Sequence, residues 1–251
     1  MRRIRITVAY DGTGFHGWQI QPGLDTIQGE LQGVIGKIEG RATEVAGSGR
    51  TDAGVHALAQ VAAFSIENPI PVDNLRQAMN RLLPRSIRVT SVAEVDSEFH
   101  PRFAAKAKTY QYRIWRAEIC PPLQRFYVCH HPYPLDEARM TDYAPLFEGE
   151  HDFSAFAASD EKDALGATKV RRVFASSLWR EGDELIYQAR GSGFLKHMVR
   201  MMVGTLIEVG KGNLDRGALL ERLRPGYPGK SGPAMRACGL RLVSVEYEQQ
   251  S

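Results

Sequence analysis

Apolar and polar positions alternate from the first residues of the chain. Ile4, Ile6, Val8 and Tyr10 stand two apart, which predicts a strand over 3–10. Asp25 followed by Gln28 has the spacing of a capping box. Behind it Ile27, Leu31, Val34, Ile35 and Ile38 recur at helical intervals up to Gly40, a helix stop. Residues 42–46 and 58–65 read as strands. Asp73 is placed to cap a helix bearing Leu75, Met79, Leu82 and Leu83, which Pro84 ends. Ile87, Val89, Ser91 and Ala93 then alternate through a strand over 86–95. The order β-α-β-β-α-β is a split βαβ unit.

The second half repeats the pattern. A strand is predicted over 107–116, then a helix over 136–147 with Met140, Tyr143, Leu146 and Phe147 as its apolar stripe. Residues 169–180 and 184–190 read as paired strands around Glu181-Gly182-Asp183. A long helix over 194–210 carries Phe194, Leu195, Met198, Met201, Met202, Thr205, Leu206 and Val209 on one broad face. A short helix over 215–223 and a strand over 239–247 follow. Two βαββαβ halves, 1–97 and 98–251, imply an α+β protein with largely antiparallel sheets and helices on one face. The other face, or a cleft between the halves, is left for a ligand.

Composition narrows the class. The chain has 251 residues, 43% hydrophobic and 24% charged, an ordinary globular balance. No apolar run is long enough to span a bilayer, and Met1-Arg2-Arg3-Ile4-Arg5-Ile6 lacks the core of a signal peptide, so a cytoplasmic protein is expected. Three cysteines, at 120, 129 and 238, suit free thiols in a reducing compartment. The net charge is only +3, but it is uneven. Residues 98–131 hold six Lys or Arg against two acids, residues 222–241 hold five and no acid, and Lys169, Arg171 and Arg172 form a third group. Such local fields attract polyanions, and three of them favour a nucleic-acid partner.

Gly47-Ser48-Gly49-Arg50-Thr51-Asp52-Ala53-Gly54-Val55-His56 holds the most suggestive side chain. The glycines allow positive φ and close approach of a ligand. Arg50, two residues before Asp52, favours a charged carboxylate, which can serve as nucleophile or base. A turn aspartate is the plain alternative.

Other motifs are weaker. Gly12-Thr13-Gly14-Phe15-His16-Gly17 fits a dinucleotide-binding spacing after a strand, but Pro22-Gly23 intervenes before any helix. A packed turn, or a shaped surface near a ligand, fits it better. Tyr110 and Tyr112 share a strand face with Lys106 and Lys108, as suits a stacked polyanion or a half-buried strand with snorkelling lysines. Cys120, Cys129, His130 and His131 match no closed zinc spacing.

Several strings together closely resemble the tRNA pseudouridine synthase A family. They are Tyr10-Asp11-Gly12-Thr13, Gly17-Trp18-Gln19, Gly49 through His56, Phe99-His100-Pro101-Arg102-Phe103, Lys108-Thr109-Tyr110-Gln111-Tyr112 and Met198-Val199-Arg200. The resemblance runs along nearly the whole chain. It implies two α/β halves around a catalytic cleft, a homodimer, no metal or organic cofactor, and conversion of uridine to pseudouridine in the anticodon stem-loop of tRNA. It implies that Asp52 is the catalytic aspartate, Arg50 the arginine beside it and Tyr110 the active-site tyrosine. Arg102, Lys108 and Arg200 are the expected RNA contacts. Two stretches depart from the family pattern. Met235-Arg236-Ala237-Cys238-Gly239-Leu240 has Arg236 where proline is usual, and 157–168, with Asp160, Glu161 and Asp163, is idiosyncratic.

On this reading the reacting base is drawn out of a stacked strand. Tyrosine, with an ordinary pKa near 10, is protonated at neutral pH, so Tyr110 is expected to stack rather than to carry charge. Leu195 and its neighbours would form a dry floor. Two rivals stand beside it. A non-catalytic RNA-binding module explains the basic groups but leaves Asp52 idle. A nicotinamide-dependent oxidoreductase rests on Gly12, Gly14 and Gly17 alone.

Overall fold

The computed structural model describes residues 1–159 and 168–248, so most of the unusual stretch 157–168, with Asp160, Glu161 and Asp163, lies outside the described residues. The chain divides into two compact units, Met1–Lys106 with Arg241–Ser251, and Ala107–Leu240.

In the first unit the elements run β1 (Arg2–Tyr10), α1 (Ile27–Glu39), β2 (Ala46–Gly47), β3 (His56–Ile66), α2 (Val72–Leu82) and β4 (Ile87–Val95). β1 lies between β3 and β4, antiparallel to both. Its alternation places Ile4, Ile6, Val8 and Tyr10 in the core, with Ile27, Leu31, Val34 and Ile35 of α1 and Leu75 and Met79 of α2. Each such side chain contributes about 1.5–3 kcal/mol of burial. Gly40 ends α1 in the left-handed region, φ 79°, as its position suggests.

Four local expectations are corrected. The cap of α1 is Thr26, whose hydroxyl accepts from the Gly29 N–H at 3.3 Å, not Asp25. The Gln28 amide works elsewhere, accepting from Ile20 N–H and donating to the Val45 carbonyl. The strand expected over 42–46 shrinks to Ala46–Gly47. Asp73 lies inside α2, which follows Pro71 and has no side-chain cap, and Leu82 is 50% exposed. In β4 the register slips at Thr90: Val8 faces Val89, but Thr7 faces Ser91 and Ile6 faces Val92. The extra residue flips the pleat, so Ser91 does not continue the inward face.

The second unit runs β5 (Ala107–Trp115), β6 (Cys129–His130), α3 (Glu137–Tyr143), β7 (Gly149–Asp152), β8 (Val170–Glu181), β9 (Glu184–Gly191), α4 (Met198–Gly210) and α5 (Arg216–Arg222). β5, β9, β8 and β7 pair in that order, all antiparallel, and β6 pairs in parallel with β5. The helix expected over 136–147 tightens into a 3₁₀ turn at Ala144–Phe147, where Pro145 cannot extend an α-helix. Met140, Ala144 and Phe147 face the core. α4 begins at Met198 rather than 194, because His197 adopts φ 63°. The last strand, β10 (Leu240–Glu246), pairs in parallel with β3 of the first unit, Arg241 opposite His56 and Leu242 opposite Ala57.

Candidate active site

In the first unit the loop bearing Asp52 joins β2 to β3, and buried polar groups fix both of its ends. The Gln60 side chain, on an otherwise apolar stretch of β3, is fully buried. Its Oε1 accepts from the Ser48 hydroxyl at 2.6 Å, and its Nε2 donates to the Gly49 carbonyl at 3.0 Å. Ser48 N–H donates to Val61 O. Further along, Tyr10 Oη and Thr51 Oγ1 are 2.8 Å apart. Burial pushes the Tyr10 phenol up to about 12, against a smaller opposing effect of Thr51 and Gln60. A loop tied at both ends by satisfied buried polar groups is rigid.

The segment Gly12–Trp18 clasps the other side of this loop. Trp18 N–H donates to Thr51 O at 3.0 Å, Gly54 N–H to Phe15 O at 3.4 Å, and within the loop Val55 N–H donates to Asp52 O. The glycines here serve close approach. A Cβ on Gly12 would lie 2.1 Å from Val55 O, and one on Gly17, at φ 92°, would lie 2.6 Å from Thr51 O. A Cβ on Gly47 would meet the Trp18 ring at 2.5 Å. The G-x-G-x-x-G spacing is therefore a packed turn against the Asp52 loop and opens no helix. His56 Nδ1 lies 3.1 Å from the Gly12 nitrogen and 3.2 Å from an Asp11 carboxylate oxygen, tying the clasp to the start of β3.

Within this frame Asp52 is half-buried and Arg50 is exposed. Thr51 between them is buried and hydrogen-bonded, so the loop turns a fixed residue inward and presents the arginine to solvent. Arg102 is exposed in the same unit, its guanidinium carbon 6.0 Å from the centre of the Phe103 ring, itself 78% exposed.

The second unit carries Lys108, Tyr110 and Arg200. Tyr110, opposite Ala189 in β9, is 8% exposed, and its ring meets Phe194 edge-on at 5.1 Å. Phe194 and the half-buried Leu195 belong to the turn before α4, closed by Met198 N–H to Leu195 O. Lys108 is half-buried on the same strand. Arg200, on α4, donates from Nε to Met235 O at 2.6 Å, and Tyr112 donates its hydroxyl to Arg236 O at 2.7 Å. The divergent stretch 235–240 is thus tied down through main-chain carbonyls, which any side chain at 236 leaves available.

At least four members of the basic group at 98–131 are engaged internally, Lys106 with Glu248 at 2.6 Å and Arg125 with the Pro122 carbonyl among them. Arg113 makes a two-pronged ion pair with Glu184 at 2.6 and 2.5 Å, and Arg116 binds Glu137 and the carbonyls of His131 and Tyr133. Arg113 and Arg116 are thus held by partners within the fold. The sequence reading also missed Tyr10, Ser48, Thr51 and Gln60. The signal for Gln60 is one amide inside an apolar strand run, since a buried polar group needs partners.

A tRNA pseudouridine synthase family model matches residues 6–104 and 144–248. Arg50, Asp52, Arg102 and Arg200 fall inside the matched segments, while Lys108 and Tyr110 fall between them. The chain is 63% identical over 247 residues to tRNA pseudouridine synthase A of Solibacter usitatus strain Ellin6076, covering 98% of this chain and all of that one. It is 41% identical over 247 residues to the enzyme of the same name from Brevibacillus brevis strain 47, again 98% of this chain and all of that one. It is 46% identical over 213 residues to that of Halalkalibacterium halodurans, covering 84% of this chain and 80% of the relative. A chain of a Cbf5–Nop10–Gar1 crystal structure superposes with a TM-score of 0.37 at 13% identity, covering 95% of this chain and 57% of that one, too weak a likeness to inform the site. By its sequence from the first strand to the last, the chain belongs to the tRNA pseudouridine synthase family.

Proposed function

We propose that Asp52 is the carboxylate that drives uridine-to-pseudouridine isomerisation in this enzyme, and that its substrate uridines lie in the anticodon stem-loop of tRNA. The family isomerises uridine in tRNA, so the coarse reaction is given by membership. The observation that supports Asp52 is the rigidity of its loop. Four buried polar side chains and three close-packed glycines hold a short segment whose half-buried residue is an acid. A turn aspartate needs no such frame, whereas a catalytic group must be held within a fraction of an ångström of its working position.

The reaction breaks the C1′–N1 bond, turns the uracil and joins C1′ to C5. The C5 hydrogen leaves as a proton and N1 gains one, so nothing is oxidised and the ribosyl group is transferred only within the nucleotide, from N1 to C5. Asp52 assists departure of the uracil, as nucleophile or base. Arg50, exposed beside it, orients the carboxylate and fills the space left in the RNA strand by the extracted nucleoside. Tyr110, buried and braced by Phe194, packs on the base. Arg102, Lys108 and Arg200 contact the RNA, Arg200 also supporting the 235–236 backbone. The enzyme works as a homodimer in the cytoplasm. No helix among the described residues is long and apolar enough to cross a membrane, in keeping with that location.

The test is incubation of the purified protein with unmodified tRNA transcripts, followed by nucleotide-resolution mapping of pseudouridine. Product confined to the anticodon stem-loop is expected. Product elsewhere refutes the substrate assignment, and none at all refutes the enzymatic reading.

A further inference from the structure

β8 carries a bulge that no part of the proposed mechanism uses. Val173 pairs with Gly191 and Ala175 with Arg190, which leaves Phe174 as an extra residue without a ladder partner. Val173 before it and Ser176 after it are buried, whereas the Phe174 ring is 38% exposed. A bulge re-aims a side chain at the expense of a sheet hydrogen bond, and here the side chain it turns to solvent is a large aromatic one.

Two cations stand against that ring. The guanidinium carbon of Arg190, on the neighbouring strand, is 5.1 Å from the ring centre, and that of Arg172 is 5.8 Å away. Gly191 permits this arrangement, since a Cβ there would lie 2.9 Å from Arg172 O. Lys169 immediately precedes the same strand and Arg171 stands near its start. Glu150, opposite Arg172 in β7, and Asp152, opposite Val170, are acids that register brings beside the group. Register also fixes the face. Thr109, Arg190 and Ala175 lie across from one another, and so do Tyr110, Ala189 and Ser176. These two rows point to opposite sides of the sheet, and Phe174, whose ring lies against Arg190, is presented on the face of that row, away from Tyr110.

We infer that Phe174, braced by Arg172 and Arg190, is a stacking platform for an unpaired base of the tRNA, separate from the reacting uridine. This rests on the tRNA-modifying reading above and adds a second point of grip to it. An exposed ring stacks on any base, and flanking guanidiniums neutralise the phosphates on either side and can themselves stack. A protein contact would suit an apolar surround, but this ring is bordered by cations. Because the platform does not touch the reacting base, it acts on affinity and leaves the chemical step alone.

Phe174→Ala, Phe174→Leu and Phe174→Trp, each checked for folding by thermal melting, are titrated with an unmodified tRNA transcript and assayed for kcat and KM. The Ala and Leu variants are expected to weaken binding about 5- to 150-fold, the range for losing one stacked base. KM should rise in step and kcat should stay unchanged. Leu retains apolar bulk without a π-face, so it separates stacking from packing even if Ala folds poorly. The Trp variant should bind as wild type, with fluorescence quenched by tRNA beyond the wild-type change. Wild-type affinity in the Leu variant overturns the proposal. So does a change of oligomeric state by light scattering in place of a change in affinity, which would mark the patch as a contact between copies. A wild-type protein that does not retain tRNA overturns the underlying reading as well.

Discussion

Gly17→Ala tests whether the clasp on the Asp52 loop matters to the reaction. At φ 92° an L-residue is strained by about 1–3 kcal/mol. The added Cβ would lie 2.6 Å from Thr51 O, 3.1 Å from Asp52 C and 3.2 Å from Ala53 N. Ordinary contact is at about 3.5 Å, so the backbone on either side of Asp52 must retreat by about 1 Å or the clash must be absorbed. Absorbing it costs about another 1–3 kcal/mol, and the combined loss lowers Tm by roughly 5–20 °C. Retreat saves stability but misplaces the carboxylate, and about 1 Å of misplacement costs on the order of 100-fold in rate. The assay is single-turnover pseudouridine formation at a temperature where circular dichroism shows the variant folded. Gly14→Ala is the control, because nothing lies within 4 Å of a Cβ at that position. Gly14→Ala should react as wild type and Gly17→Ala about 100-fold more slowly. A folded Gly17→Ala enzyme with wild-type rate would refute the idea that the clasp positions Asp52.

Alkaline pH should loosen the same frame. The folded-state pKa of Tyr10, about 12, lies above the unfolded value near 10, so the native state holds the proton that the unfolded chain releases. Its contribution is complete below pH 10 and falls by about 1.4 kcal/mol per unit up to about pH 12. Denaturant titrations at rising pH should show that slope, reduced in Tyr10→Phe; an unchanged slope in the variant would exclude Tyr10 as its source. Replacing Arg113 and Glu184 together by Met and Gln should leave tRNA affinity and its salt dependence unchanged, because the pair already satisfies itself. A shallower salt slope in that variant would restore Arg113 as a phosphate contact.

The chemistry of the site was easier to read in the sequence than the means of holding it. Alternation in β1 and the stripe of α1 gave those elements directly, because each buries a single face. Capping was misjudged where two candidates stood side by side: Asp25 and Thr26 both suit the role, and tertiary bonds drew Gln28 to Ile20 and Val45. The start of α4 lies later than the pattern predicts because Phe194 and Leu195 have helical spacing to Met198, while His197 takes the left-handed conformation and Phe194, ahead of it, packs against Tyr110. The bulges at Thr90 and Phe174 leave no mark in local pattern, since register is set by the partner strand. Asp52 and Arg50 stand out as charges in a glycine-rich loop. The bonds from Ser48 to Gln60 and from Tyr10 to Thr51 join residues 12 and 41 positions apart and become visible only in the fold.

The most direct trial uses tRNA tritiated at uracil C5. Asp52→Asn, which keeps the shape of the side chain, should bind this tRNA with wild-type affinity and release no tritium. Release at the wild-type rate would mean that the carboxylate takes no part in the chemistry, however firmly its loop is held.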